Sequence, residues 1–183
     1  MELGFLLDVT RASFTPEFFP VVLRTIKDIY SSFVINQQKT RVGVVLFNGS
    51  PTTAIMLNQY QTIDQIDSAV DAVTQSSSNE PGSLGEGITY TSETLFKPNS
   101  RIRTPCVLVI ITGSKSRDNT LQASQNAMHA NITIFVIGVG SSVDKADLTE
   151  VASPYPENHL ILANYSPRDT AGENAASKIK KGT

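Results

Sequence analysis

Cys106-Val-Leu-Val-Ile-Ile-Thr-Gly113-Ser-Lys-Ser-Arg-Asp118 is the stretch whose reading decides the fold. An apolar run rich in β-branched residues and closed by Thr112, Gly113 and Ser114 predicts a central parallel strand that ends in a loop at its carboxyl edge. A second run of the same kind opens the chain, Leu3-Gly-Phe-Leu-Leu-Asp8-Val-Thr10-Arg-Ala-Ser13. With further strand-like stretches at roughly 41–47, 53–58, 133–138 and 159–162, these runs alternate with helix-like stretches at roughly 16–33, 62–73, 84–96, 119–129, 144–151 and 168–180. Such alternation predicts an α/β fold with a doubly wound sheet. In the first helix Thr15 is the expected N-cap and Pro16 the first-turn proline, and Phe18, Val22, Ile26, Ile29 and Phe33 form the face turned to the sheet. Only Asn48-Gly-Ser-Pro-Thr52 separates the second and third strands, which is too short for a parallel crossover and predicts an antiparallel hairpin.

The chain has 183 residues, an ordinary size for one domain able to bury a core without staples, so residues 1–183 are expected to form a single domain. Fifteen Lys and Arg against seventeen Asp and Glu leave a net charge of −2, which recruits neither nucleic acid nor an anionic membrane by bulk electrostatics. No apolar run is long enough to insert across a bilayer. Met1 abuts the first strand without room for a signal peptide, as expected of an excised domain. The single cysteine, Cys106, excludes an internal disulfide, and its place on an apolar strand predicts a buried, inert thiol. Lys178, Lys180 and Lys181 are expected to offset the negative end of the last helix. Of three Asn-x-Ser/Thr triplets, those at Asn48 and Asn164 are followed by Pro51 and Pro167, leaving Asn131-Ile-Thr133 as the credible glycan acceptor and as support for secretion.

Together these segments resemble the von Willebrand factor A domain, whose first strand ends in Asp-x-Ser-x-Ser and whose fourth ends in Thr-Asp-Gly-x-Ser-x-Asp. Arg41-Val-Gly-Val-Val-Leu-Phe47 looks like its second strand, Met56 to Tyr60 and Asp64 to Val70 like its third strand and next helix, and Ile134 to Gly140 like its fifth strand. Asp147 to Ser153, with Pro156 and His159, resembles the helix and turn that follow. The resemblance implies a mostly parallel six-stranded sheet ordered 3-2-1-4-5-6, strand 3 being the antiparallel edge, with helices on both faces. It also implies a crevice above strands one and four that holds a divalent cation, usually Mg²⁺, with one coordination position left for a partner's carboxylate.

Residue by residue, the inheritance is partial. Asp8 matches the first aspartate and Thr10 keeps a hydroxyl at the first serine position. Ala12 falls at the second serine in direct register, whereas Ser13 serves if the loop has gained a residue. The loop Pro81-Gly-Ser-Leu-Gly-Glu-Gly87 lacks the family's threonine, leaving Ser83 as the nearby hydroxyl, and the fourth-strand aspartate is replaced by Gly113. Asp8, Thr10 and Ser13 are thus the remnant of a metal site, for which weak Mg²⁺ or Mn²⁺ binding and no firmly held cofactor are expected. If Gly113 is the defect, Gly113→Asp together with Leu84→Thr and Ala12→Ser should restore a cation site.

Other chemistry finds little footing. Gly138-Val-Gly140 lacks the third glycine of a dinucleotide fingerprint and its place after a first strand. No phosphate-binding loop or serine elbow is present, and His129 and His159 lie far apart. Asp144 and Asp147 suit a helix start. The reading is therefore a non-enzymatic, secreted module of a larger extracellular matrix protein, binding collagen or another matrix component through Thr10, Arg11, Ser13, Ser83, Lys115 and Arg117. The rival readings are a structural spacer with a defunct metal site and, third, a metal-assisted hydrolase built on Asp8.

Overall fold

A computed structural model describes residues 1–164 and 170–182. Its core is one six-stranded sheet in the order β3-β2-β1-β4-β5-β6. The strands are β1 (Glu2–Asp8), β2 (Arg41–Phe47), β3 (Thr52–Ile55), β4 (Cys106–Thr112), β5 (Ile132–Val139) and β6 (Leu160–Ala163). All neighbours pair in parallel except β2 and β3, which form the expected antiparallel hairpin. Winding reverses between β1 and β4, which lie side by side with Leu7 opposite Ile111. Their carboxyl ends therefore open the crevice where ligands of such sheets bind.

Alternation along each strand divides the core. Leu3, Phe5, Leu7, Val107, Val109 and Ile111 face α1 (Phe19–Tyr30), α2 (Ile63–Asp71) and α7 (Ala171–Gly182). Leu6, Leu108, Ile110, Ile134 and Val136 face α3 (Leu84–Tyr90), α4 (Leu121–His129) and α5 (Lys145–Val151). On that second face the paired glycines Gly4 and Gly43 leave room for a π-helical segment, Thr91–Phe96, that continues α3. A Cβ on Gly4 would lie 2.6 Å from the Phe96 ring, and one on Gly43 would lie 2.7 Å from Leu95.

Several expected boundaries shift. Helix α1 begins at Phe19 with Phe18 at the N-cap and Pro20 in its first turn, while Thr15 and Pro16 belong to a preceding turn in which Thr15 O accepts the Phe18 and Phe19 amides. Val22, Ile26 and Ile29 are buried as expected, but Phe19 leads the face and Phe18 and Phe33 lie at its margin. The third strand ends at Ile55 rather than at position 58, and a short helix, α6 (Pro156–His159), precedes β6. The expected start of the last helix at 168 lies outside the described residues; α7 runs from Ala171, with Lys180 and Lys181 in its last turn. Cys106 is half-buried rather than buried, because it opens β4; burial still pushes its thiol pKa up, and Sγ lies 3.3 Å from Ser100 Oγ.

At the amino ends of the strands a charge is buried inside this apolar sheet. Glu2 accepts two bonds from Arg41, at 2.9 Å from Nε and 2.6 Å from Nη2, and two from Arg101, at 2.8 Å from Nε and 3.1 Å from the backbone amide. Arg101 also donates to the Gln37 and Lys39 carbonyls, which ties the 34–40 loop to the 99–105 loop beneath the sheet. Burial alone would push the Glu2 carboxyl up, but the bonds from Arg41 and Arg101 outweigh it and hold its pKa below the ordinary carboxylate value. The stability this lends is therefore complete above the unfolded pKa and is lost as pH falls through the folded one. Glu2→Gln should lower stability by about 3 kcal/mol, since it strands two guanidinium groups beside a neutral partner. Denaturant melts at pH 7 and pH 3 check this, with the gap between wild type and variant narrowing in acid.

Candidate functional site

Asp8, the last residue of β1, is completely buried, and its carboxylate is enclosed by hydroxyls and one amide. Oδ1 accepts from the Thr10 amide at 2.9 Å and from Thr10 Oγ1 at 2.8 Å. Oδ2 accepts from Thr112 Oγ1 at 3.0 Å and from Ser13 Oγ, which also lies 2.8 Å from Ser114 Oγ. Ser13, and not Ala12, thus completes the cluster, as it does if the loop has gained a residue. Burial outweighs these four bonds and raises the Asp8 pKa. A carboxyl raised in the folded state makes stability fall as pH climbs from the unfolded value through the folded one. Asp8→Asn removes that slope, so its melting temperature relative to wild type should rise between pH 4 and pH 7, as read by calorimetry.

Gly113 is the counterpart of this closed loop. A Cβ at that position would lie 2.3 Å from the Ser13 carbonyl oxygen and 2.9 Å from the Phe14 ring. The longer first loop therefore occupies the space in which a residue-113 side chain would begin. This corrects the expectation that Gly113→Asp with Leu84→Thr and Ala12→Ser restores a cation site, because the carboxylate at 113 cannot be introduced without displacing Ser13.

The loop after β4 is held from both sides. Asp118 accepts the Gly85 and Glu86 amides at 2.9 and 2.8 Å, and Ser116 Oγ accepts the Leu84 amide at 3.0 Å, so the first turn of α3 is capped from another segment. Gly85 is required by this approach, since a Cβ there would lie 2.3 Å from the Asn119 carbonyl. Arg117 donates to Ser83 Oγ at 2.7 Å and to the Gly49 carbonyl at 3.1 Å. Lys115 reaches Asp144 at 3.0 Å and Asp147 at 3.5 Å, and Asp144 caps α5 through the Ala146 and Asp147 amides.

The expected site residues accordingly part into two groups. Thr10, Ser13 and Ser83 are buried and their hydroxyls are engaged internally. Arg11, Lys115 and Arg117 are exposed on the upper face. Ser116 and Asp118 act on α3 rather than on a ligand, a role that no local pattern in the 114–118 segment announces. Ser114 joins the Asp8 cluster although glycine stands at that place in the motif, and its signal in the sequence is only that substitution. Gly138 lies within β5, where a Cβ would meet Leu148 at 2.5 Å, and so serves packing rather than a dinucleotide.

The donor set does not fit a firmly held Mg²⁺. That ion prefers near-ideal octahedral geometry with carboxylate oxygens and sheds water reluctantly. Here a single carboxylate, filled by four donors, stands without a second one to complete the ion's ligands, and Ser83 accepts from Arg117. Among the described residues no group of three His, Cys, Asp or Glu converges, and no buried side-chain nitrogen or oxygen lacks a hydrogen-bond partner.

A sheet of this order, with Asp8 and Thr10 at the switch point and Thr112 opposite, is the architecture of an A-type domain. The von Willebrand factor type A domain profile matches residues 2–168, and the chain belongs to that family. It is 32% identical over 169 residues to the human collagen alpha-1(XXI) chain, covering 88% of this chain and 17% of that one. It is 27% identical over 183 residues to chicken matrilin-1, covering 98% of this chain and 36% of matrilin-1. The chain thus spans about a sixth and about a third of these relatives, which are extracellular matrix proteins. Proximal thread matrix protein 1 from the mussel byssus, in a structure with a zinc-occupied metal site, superposes with a TM-score of 0.87 at 21% identity, over 98% of this chain and 45% of that one. The manganese-loaded Plasmodium vivax TRAP protein superposes at 0.79 with 16% identity, over 99% and 72%. These likenesses establish the fold, and the collagen and matrilin relatives place the domain among secreted matrix proteins.

Gly113→Ala should cost about 1–3 kcal/mol by overpacking against Ser13 and Phe14. Gly113→Asp should be destabilised at least as much and should gain no heat of Mg²⁺ binding in titration calorimetry.

Proposed function

We propose that this domain is a matrix protein-interaction module that binds collagen or another matrix component through its upper face without a divalent cation. The observation that carries the reading is that Asp8 stands as a lone carboxylate already filled by four donors, with no further acidic groups converging on it among the described residues. Arg11, Lys115 and Arg117 are exposed on the same face. Lys115 is already paired with Asp144 and Asp147, and Arg117 is bonded to Ser83 and the Gly49 carbonyl, so that a partner's acidic groups meet Arg11 directly and compete for the other two. Thr10, Ser13 and Ser83 support the loops from beneath. The matrix relatives favour a partner of the same compartment, with the domain acting as one unit of a larger protein.

The test is immobilised collagens and matrix proteins probed with the domain in EDTA and in about 1 mM Mg²⁺, enough to saturate a site of micromolar affinity. Binding should be equal in the two buffers, and the melting temperature should not rise with Mg²⁺. Arg11→Glu combined with Lys115→Glu should weaken binding about tenfold, a loss of about 1.4 kcal/mol. Binding that requires Mg²⁺, or that ignores both charge reversals, overturns the proposal. Failure of the domain to bind any matrix component, with self-association of longer chains, replaces it by the spacer reading.

A further inference from the structure

An open groove lies at the amino ends of the strands, opposite the Asp8 crevice. It has a volume of about 930 Å³ and is lined by Met128, Asn131, Thr133, Pro154, Tyr155 and His159 among others. Two of these lining residues have left-handed backbones, Asn131 at φ 60° and Tyr155 at φ 66°. Asparagine adopts that conformation readily, but a tyrosine there is strained. Tyr155 is nevertheless 69% exposed, and the turn is held by Pro156 in the first turn of α6 and by His159, whose ring packs on Phe135 at 4.7 Å. The fold thus leaves an aromatic residue exposed in the lining of a groove, uncovered among the described residues.

Asn131 stands on the rim of the same groove and begins the triplet Asn131-Ile-Thr133. It is exposed, while Ile132 anchors the triplet in the core at 3% exposure. The other triplets are less suited. Asn48 uses its side-chain oxygen to accept the Ser50 amide at 3.0 Å and is followed by Pro51, and the triplet of Asn164 extends into residues outside the described ones.

We propose that Asn131 carries an N-linked glycan whose first N-acetylglucosamine lies in this groove against the Tyr155 ring. The donor is a polyprenyl diphosphate-linked oligosaccharide of the secretory route. Asn131 Nδ2 bonds to the anomeric carbon, the carbon–oxygen bond to the diphosphate breaks, the diphosphate leaves with the electron pair, and the amide loses one proton, with no change of oxidation state. The apolar face of the sugar then covers the aromatic face that the protein leaves bare. The glycan would leave from the end of the domain away from Arg11, Lys115 and Arg117, so its presence does not depend on the upper-face reading.

The experiment is secretion of the domain from animal cells, with mass spectrometry of the peptide containing Asn131 before and after peptide-N-glycosidase treatment. A hexose-rich mass that the enzyme removes is expected in wild type and absent in Asn131→Gln and in Thr133→Ala. An unmodified Asn131 peptide in folded, secreted wild type overturns the site. A high-mannose form trimmed by endoglycosidase to a single sugar should melt about 2–4 °C above Asn131→Gln. In a Tyr155→Ala background that difference should vanish. Equal melting of the trimmed form and Asn131→Gln, or a difference that survives Tyr155→Ala, overturns the packing against the ring.

Discussion

The carbonyl oxygen of Ser13 lies where a side chain on residue 113 would start, and the upper face of the domain is arranged around that contact. Because the first loop crosses so close above β4, Ser13 reaches both Asp8 and Ser114, and the two central strand ends are stitched together by hydroxyls. A second carboxylate at this point would stand beside the buried charge of Asp8, where like charges repel and neither is solvated. Glycine removes both the steric and the electrostatic conflict. The path of the first loop and the glycine at position 113 are therefore two sides of one steric contact.

Under the proposed reading, that closure leaves recognition to the periphery. The segment 114–118 is tied to α3 through Ser116 and Asp118, to the 48–50 turn through Arg117, and to α5 through Lys115. An A domain that bridges to its partner through a metal ion places its strongest interaction at the centre of the crevice. Here the centre is satisfied from within, and the exposed charges form a ring around it. Such charges, in water, give orientation and rate of encounter more than affinity.

The opposite end of the sheet is organised by a different device. Glu2, Arg41 and Arg101 bring a charge cluster into the base of the apolar sheet and secure the loops there. An ion pair of this kind adds little net stability compared with apolar packing, yet losing one member is costly. The groove beside Asn131 and Tyr155 lies at the same end of the sheet but is lined by other segments, at the starts of β5 and β6.

The sequence by itself determined the alternation of strands and helices, the β2–β3 hairpin and the two apolar strands that form the centre, because parallel strands buried on both faces must be continuous apolar runs. Its motifs, through the family resemblance, also brought Asp8, Thr10 and Gly113 to one switch point, whereas Thr112 was found there only in the structure. Tertiary structure alone decided between Ala12 and Ser13, since both lie in one short loop and only the path of the backbone past Gly113 distinguishes them. The same holds for Asp118, which caps a helix thirty-odd positions away in sequence, and for Glu2, whose two arginine partners come from separate loops. The start of α1 lies at Phe19 rather than just after Thr15: Pro20 stands in its first turn and Phe19 is buried against the sheet, which the local pattern at Thr15 and Pro16 did not record. Local pattern records what each segment buries, whereas which polar groups meet is set by distances that close only when the sheet is assembled.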